Sequence, residues 1–388
     1  MDTVSIFISS KLPHAGATIF TTISSLAVQH QAINLGQGFP DYPMSTELVN
    51  LVNQAMQQGH NQYTHANGLP ALRQALVHKI QLLYGQPYHE ADHITVTPGG
   101  TYGIYTTITA CIQPKDEVII LEPAYDCYAP AVELCGGSVK RVAINPSNWT
   151  IDFAAIETSI TPATKMLIIN NPHNPSGKVF TKEELDEVER IVLSHNLILL
   201  ADEVYEHLVF PGQQHHSVLG RPALAQNSMV CFSLGKTYNC TGWKLGYVVS
   251  KNEQLMTEFR KVHQFNCFSV NTPLQVAFSQ YVQQPQPYLE IGGILHQKQQ
   301  LLQQLLSHTG LEPMPCQGGY FQTYSYKKLS DASEMDFVTQ LITQYGVAAI
   351  PVSAFYGEPT ENGLIRFCFA KKTSTLEAAA ERLKKLGN

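Results

Sequence analysis

Short apolar runs recur through the middle of the chain, at residues 94–97, 118–121, 166–169, 197–200, 229–232 and 247–249. Most lack the apolar–polar alternation of a half-buried strand, so both faces of each strand are expected to be covered. Helical patterns fill the gaps. Thr181-Lys182-Glu183-Glu184 has capping-box spacing, in which the Thr hydroxyl accepts the Glu184 amide proton and Glu184 reaches back to the Thr181 amide. The periodic segment 185–193 follows it. Residues 70–83 and 103–111 also read as helices. This alternation predicts an α/β domain over residues 46–280, built on a largely parallel sheet.

The pattern changes toward the C-terminus. Residues 275–306 have helical character interrupted around Pro285 and Pro287, while 319–324 and 364–369 read as strands. Ser374-Thr375-Leu376-Glu377 is expected to cap a last helix that ends before Gly387. Residues 281–388 therefore read as a smaller α+β domain, joined by the N-terminal segment 1–45. A length of 388 residues fits two domains better than one core.

Composition adds mainly exclusions. A net charge of −6 with scattered Lys and Arg gives no electrostatic reason to expect nucleic acid or an anionic membrane as partner. The first residues lack a signal-peptide pattern, and no apolar run could span a bilayer. Eight cysteines without a C-x-x-C pair read as reduced thiols of a cytoplasmic protein.

Candidate chemistry gathers where the strands end. After residue 121 comes Glu122-Pro123-Ala124-Tyr125, and after 169 comes Asn170-Asn171-Pro172-His173-Asn174. Residue 200 leads to Ala201-Asp202-Glu203-Val204-Tyr205, and 232 to Ser233-Leu234-Gly235-Lys236-Thr237. In open α/β sheets, ligands sit outside the carboxyl ends of the strands, so these residues converge on one crevice. A buried acid there needs a cation. A desolvated lysine becomes a nucleophile toward a carbonyl. Glycine- and hydroxyl-rich turns before helices bind phosphate, and an aromatic stacks on a flat ring. A phosphorylated pyridine aldehyde meets all these demands. Two competing motifs fail. A P-loop ending at Lys236-Thr237 would need glycine where Val230 stands. His89-Glu90-Ala91-Asp92-His93 matches a zinc motif, but it lies between Gly85 and Pro87 and the next strand, so it reads as a surface connection.

Seven stretches in order resemble the class I aminotransferases, fold-type I pyridoxal 5′-phosphate (PLP) enzymes, and most of all the methionine, glutamine and kynurenine aminotransferase subgroup. They begin at Asn34-Leu35-Gly36-Gln37-Gly38-Phe39-Pro40-Asp41, Asn61-Gln62-Tyr63-Thr64 and Asn171-Pro172-His173-Asn174-Pro175-Ser176-Gly177-Lys178. They continue with Asp202-Glu203-Val204-Tyr205, Ser233-Leu234-Gly235-Lys236-Thr237, Thr241-Gly242-Trp243-Lys244-Leu245-Gly246 and Ile365-Arg366-Phe367-Cys368-Phe369. The resemblance implies a mainly parallel seven-stranded sheet sandwiched by helices, plus a smaller α+β domain.

It also implies roles. Lys236 carries PLP as a Schiff base and shuttles the proton, and Asp202 pairs with the ring nitrogen. Asn174 and Tyr205 bond the phenolic oxygen, and Tyr125 stacks on the ring. Gly99, Gly100, Thr101, Ser233 and Lys244 hold the phosphate. Arg366 grips the substrate α-carboxylate, assisted by Gly38 and Asn174. Tyr63 reaches the phosphate of a neighbouring subunit, which implies a homodimer. Departures from the pattern are Tyr102 and Gly103, which concern the helix start or the cofactor environment, and Lys244 where many relatives have Arg.

The bland readings are a helix cap or surface acid for Asp202, a turn former for Asn174, packing aromatics for Tyr63 and Tyr125, and a structural ion pair for Arg366. The expected activity is transfer of an amino group from a neutral, sulfur-containing or aromatic amino acid to a 2-oxo acid, with methionine favoured. Uncharged candidate walls (Phe20, Phe39, Tyr128 and Phe355) disfavour dicarboxylic donors. The alternatives are a C–S β-lyase and a PLP-binding regulatory protein without turnover.

Overall fold

The computed structural model describes residues 8–386. Its central sheet has seven strands: β1 (Ile94–Thr97), β2 (Glu117–Glu122), β3 (Ser138–Ala143), β4 (Thr164–Asn170), β5 (Ile198–Asp202), β6 (Ser228–Ser233) and β7 (Gly246–Val249). They lie in the order β1-β7-β6-β5-β4-β2-β3. Only β7 runs against its neighbours, pairing antiparallel with both β1 and β6. The other pairs are parallel.

The apolar runs are buried on both faces. Along β4, Leu167 and Ile169 join one core cluster while Met166 and Ile168 join another on the opposite face. Successive side chains point to opposite faces, so a strand covered by helices on both sides has no polar positions to alternate with. Strand β3 escaped the sequence reading for the converse reason. It is an edge strand that carries Lys140 and Arg141 and is largely open to solvent.

The helices at 70–83 and 103–111 extend to Pro70–Tyr84 and Gly100–Cys111. The capping box at Thr181 forms with both of its bonds. The long helical stretch divides into Thr272–Tyr281, Gln286–Leu289 and Ile291–Leu306, with Pro285 and Pro287 in the break and its first turn. One expectation is corrected. The last helix, Thr373–Leu383, starts before Ser374, with Lys372 at its N-cap position and no side-chain cap of its own. Asp41, distant in sequence, takes over that task. Its carboxylate accepts the Lys372 amide at 2.5 Å, a backbone donor that a helix start leaves unpaired, and the Thr375 side-chain hydroxyl at 2.6 Å.

A second sheet has the order Ile350–Pro351, Leu364–Cys368, Phe321–Ser325, Glu312–Pro313, with antiparallel pairing throughout. Its core draws Ile23, Ala27 and Leu35 from the N-terminal segment, beside Phe321, Ile350 and Ile365. Among the described residues no helix is long and apolar enough to cross a membrane.

Candidate active site

Parallel register brings the strand ends together. Asn170 at the end of β4 lies opposite Asp202 at the end of β5, and Asp202 opposite Cys231 on β6. Just beyond these ends is a cavity of about 180 Å³. Gly99, Gly100 and Thr101 line it after β1, and Tyr125 after β2. Asn174 comes from the turn after β4, Asp202 from the end of β5 and Tyr205 from the turn after it, and Ser233 from the end of β6 with Lys236 and Lys244 between β6 and β7. Gly38 and Arg366 adjoin it: the Gly38 carbonyl accepts Lys236 Nζ at 3.4 Å, and Arg366 is linked through Asn174. Tyr63 stands apart, 81% exposed and edge-on to Phe268.

Lys236 lies on the single helical turn Leu234–Thr237. Tyr320 holds this turn by donating its hydroxyl to the Lys236 carbonyl. Burial, with Arg366 and Lys244 nearby, brings the amine down to about 8 against the opposing pull of Cys368 and Asp202. Asp202 is 3% exposed, which removes the surface-acid reading. Burial pushes its carboxyl up to about 6, opposed by the Tyr128 hydroxyl, which donates to Oδ2 at 2.5 Å. Tyr128 was expected as a wall residue and is instead the partner of Asp202.

Asn170, expected at the crevice only as one of the strand-end residues, lines the cavity and has a specific role. Its side-chain amide donates to the Asp202 carbonyl at 2.9 Å, and its Oδ1 accepts the Asn174 amide at 2.7 Å. It thus ties the two turns together. No local pattern marks the contacts of Tyr128 and Asn170 with Asp202, because that partner comes from another strand.

The phosphate turn is shaped for close backbone approach. Gly99 has φ +89°, a conformation that favours glycine, and a Cβ there would stand 3.5 Å from Lys244 Nζ. A Cβ on Gly100 would come within 2.7 Å of Val204 Cγ1. The helix begins at Gly100, so its first amides face the cavity end. The departures in this stretch have packing reasons. Gly103 lets the helix lie against β7, since a Cβ there would be 2.7 Å from Val248 Cγ2. Tyr102 is not a lining residue; its hydroxyl meets His263 Nδ1 at 3.1 Å.

Arg366 is 1% exposed, yet its partners are an amide and a main-chain carbonyl rather than a carboxylate. Nη1 donates to Asn174 Oδ1 at 2.7 Å and Nη2 to Gly36 O at 2.9 Å, and Nε has no partner. Its guanidinium lies 3.8 Å over the Phe321 ring, with Phe355 at 4.9 Å and Phe20 at 5.4 Å. Burial lowers it to about 10. A buried guanidinium with a free donor and no carboxylate in hydrogen-bonding contact among the described residues, Asp126 acting on it only from a distance, is built for an incoming anion. Phe39 lies elsewhere, beside the Lys371 ammonium at 4.6 Å.

The zinc-like pattern has other employment. Glu90 pairs with Arg73 at 2.9 Å, and His93 Nδ1 accepts the His89 amide at 3.0 Å.

Fold and site together define an amino-group transferase, and the chain belongs to the class I and II aminotransferases, whose family profile matches residues 30–383. It is an enzyme acting on amino acids and 2-oxo acids, in a family generally dependent on PLP. Among individual relatives, it is 44% identical to the methionine aminotransferase of Escherichia coli K12, over 97% of this chain and 98% of that one. It is 34% identical to human kynurenine–oxoglutarate transaminase 1, covering 93% of each. A crystal structure from Escherichia coli, described as identifying a methionine aminotransferase function, superposes with a TM-score of 0.96 at 43% identity, covering 98% of this chain and 100% of that one.

Proposed function

We propose that this aminotransferase holds PLP on Lys236 and uses methionine, or another neutral sulfur-containing or aromatic amino acid, as donor to a 2-oxo acid. The observation that carries the reading is the convergence of Lys236, Asp202 and the Gly99-Gly100 turn on one cavity, with Arg366 one hydrogen bond beyond. The residues fit the cofactor. Asp202 is a buried acid in need of a cation, and Gly99 and Gly100 line the cavity where a helix N-terminus begins.

When bound, PLP supplies an aldehyde that takes up the amino group and a ring that draws electrons from the substrate Cα. The chain's own residues do the rest. Ser233, Lys244 and the first amides of helix Gly100–Cys111 hold the phosphate, with Thr101 beside them. Asp202 keeps a proton on the ring nitrogen, Tyr125 covers the ring, and Asn174 and Tyr205 bond its phenolic oxygen. Arg366 orients the α-carboxylate, assisted by Gly38 and Asn174. Lys236, whose amine burial lowers to about 8, serves as general base toward the Cα proton and returns it.

The rings of Phe20, Phe321 and Phe355 around Arg366 favour an uncharged donor side chain, as does similarity to the methionine aminotransferase. A homodimer with Tyr63 serving the neighbouring site is supported by its exposure, alongside Phe265 and Phe268. Eight unpaired cysteines support a cytoplasmic location. The second core around the second sheet, which also takes in Tyr205, Leu208 and Phe210, supports a large domain over residues 46–280 and a small one made of 1–45 and 281–388.

The test compares donors. Methionine and aromatic amino acids should convert the purified enzyme to its amine form faster than aspartate; equal or faster conversion by aspartate contradicts the donor assignment.

A further inference from the structure

Tyr128 opens the short helix Tyr128–Leu134 and is 2% exposed. Its hydroxyl donates to Asp202 Oδ2 at 2.5 Å. Its ring meets Tyr125 edge-on, with centroids 5.8 Å apart and planes at 80°. The other Asp202 oxygen, Oδ1, accepts the Val204 amide at 3.3 Å. One phenol therefore touches both the acid and the aromatic assigned to the cofactor ring. A carboxylate that accepts a hydrogen bond is a weaker base than a free one. Burial, reinforced by the Asp202 charge, holds the Tyr128 phenol well above its ordinary range, so it remains a donor.

We propose that Tyr128 is a positioning residue for amino transfer: its hydroxyl fixes the Asp202 carboxylate and keeps it the weaker base, so that the proton shared with the cofactor's ring nitrogen stays on the ring. The inference rests on the PLP reading above. The other titratable groups facing Asp202 are Lys236, Glu203, Cys127, Cys231, Tyr125 and Tyr205. Burial pushes both thiols and both phenols up, which keeps them neutral. Glu203 is turned toward Ser217 and the Val218 amide, at 2.6 and 2.9 Å. Lys236 titrates near 8, above Asp202. Among the described residues, Tyr128 is the side chain that donates a hydrogen bond to the Asp202 carboxylate.

The experiment uses Tyr128→Phe in the full chain, which keeps the ring and its contact with Tyr125. The first readout is the carboxyl infrared band of the cofactor-free protein, assigned to Asp202 by its loss in Asp202→Asn. Its titration midpoint should rise by about one pH unit or more, the size of a lost hydrogen bond to a charged group. In the PLP-loaded enzyme, kcat for methionine should fall roughly tenfold or more with KM little changed, and the second substitution should add nothing in an Asp202→Asn background. An unmoved midpoint, or an equal loss in the Asp202→Asn background, overturns the inference. If Tyr128→Phe fails to fold, 3-fluorotyrosine at position 128, a stronger donor of the same shape, must lower the midpoint; a midpoint that stays or rises overturns the inference. A wild-type protein that binds no PLP defeats the underlying reading instead, while the infrared titration still decides the Tyr128–Asp202 coupling.

Discussion

Replacing Arg366 with lysine retains a positive charge and removes the planar fork. In the native site Nη1 and Nη2 are fixed by Asn174 and Gly36, and the guanidinium lies 3.8 Å over Phe321. An ammonium cannot reproduce a bidentate grip on a carboxylate, nor the stacking. Losing one charge-assisted hydrogen bond costs about 1.5–3 kcal/mol, roughly ten- to hundredfold in kcat/KM. Asn174 Oδ1 and Gly36 O would also lose their donors, which places Arg366→Lys toward the larger figure. The carboxylate is gripped before and during the chemical step, so most of the loss should appear in KM. The assay measures kcat/KM for methionine and for 3-(methylthio)propylamine, which has the same side chain without the carboxylate. The variant should lose activity toward methionine and change little toward the amine. An equal fall for both, or no fall for methionine, would refute the assignment of Arg366.

Two further predictions follow from packing and charge. Gly103→Ala gains helix propensity, but its Cβ would stand 2.7 Å from the stiff Val248 side chain within the core; overpacking of about 1–3 kcal/mol should win, seen as a lower urea midpoint with unchanged slope, and an unchanged or raised midpoint contradicts the packing account. Burial lowers Lys236 to about 8, so the neutral amine is populated at lower pH than for an ordinary lysine. Capture of PLP by the cofactor-free protein should therefore climb with pH and level off above about 8, whereas a climb continuing to 10.5 would contradict it. The unfolded state binds the Lys236 proton more tightly, so this group's cost to stability is full below pH 8 and fades as pH rises toward 10.5.

Much of the site was legible because its residues sit at strand ends. The runs before Asn170, Asp202 and Ser233 are apolar throughout, and that both locates the strands and marks where each must leave the sheet. What stayed hidden depends on contacts between distant segments. Strand β3 has the polarity of an exposed edge, so no apolar run announced it. Asp41 caps a helix some 330 residues away, and the local Ser374 pattern misplaced that helix start. Tyr128 read as a wall aromatic because nothing in its neighbourhood shows that its hydroxyl meets an acid 74 residues on. Gly103 looked like a perturbation of the phosphate turn, and its reason is a valine on the antiparallel strand β7.

The central claim concerns Lys236, and one measurement addresses it directly. Purified wild-type protein and Lys236→Ala are reconstituted with PLP and mixed with methionine while the visible spectrum is followed. The account predicts that the wild type passes from the aldehyde-form to the amine-form spectrum and regenerates with a 2-oxo acid, and that Lys236→Ala retains its fold but does so at least about a hundredfold more slowly. Conversion by Lys236→Ala at a rate near the wild type's would contradict it.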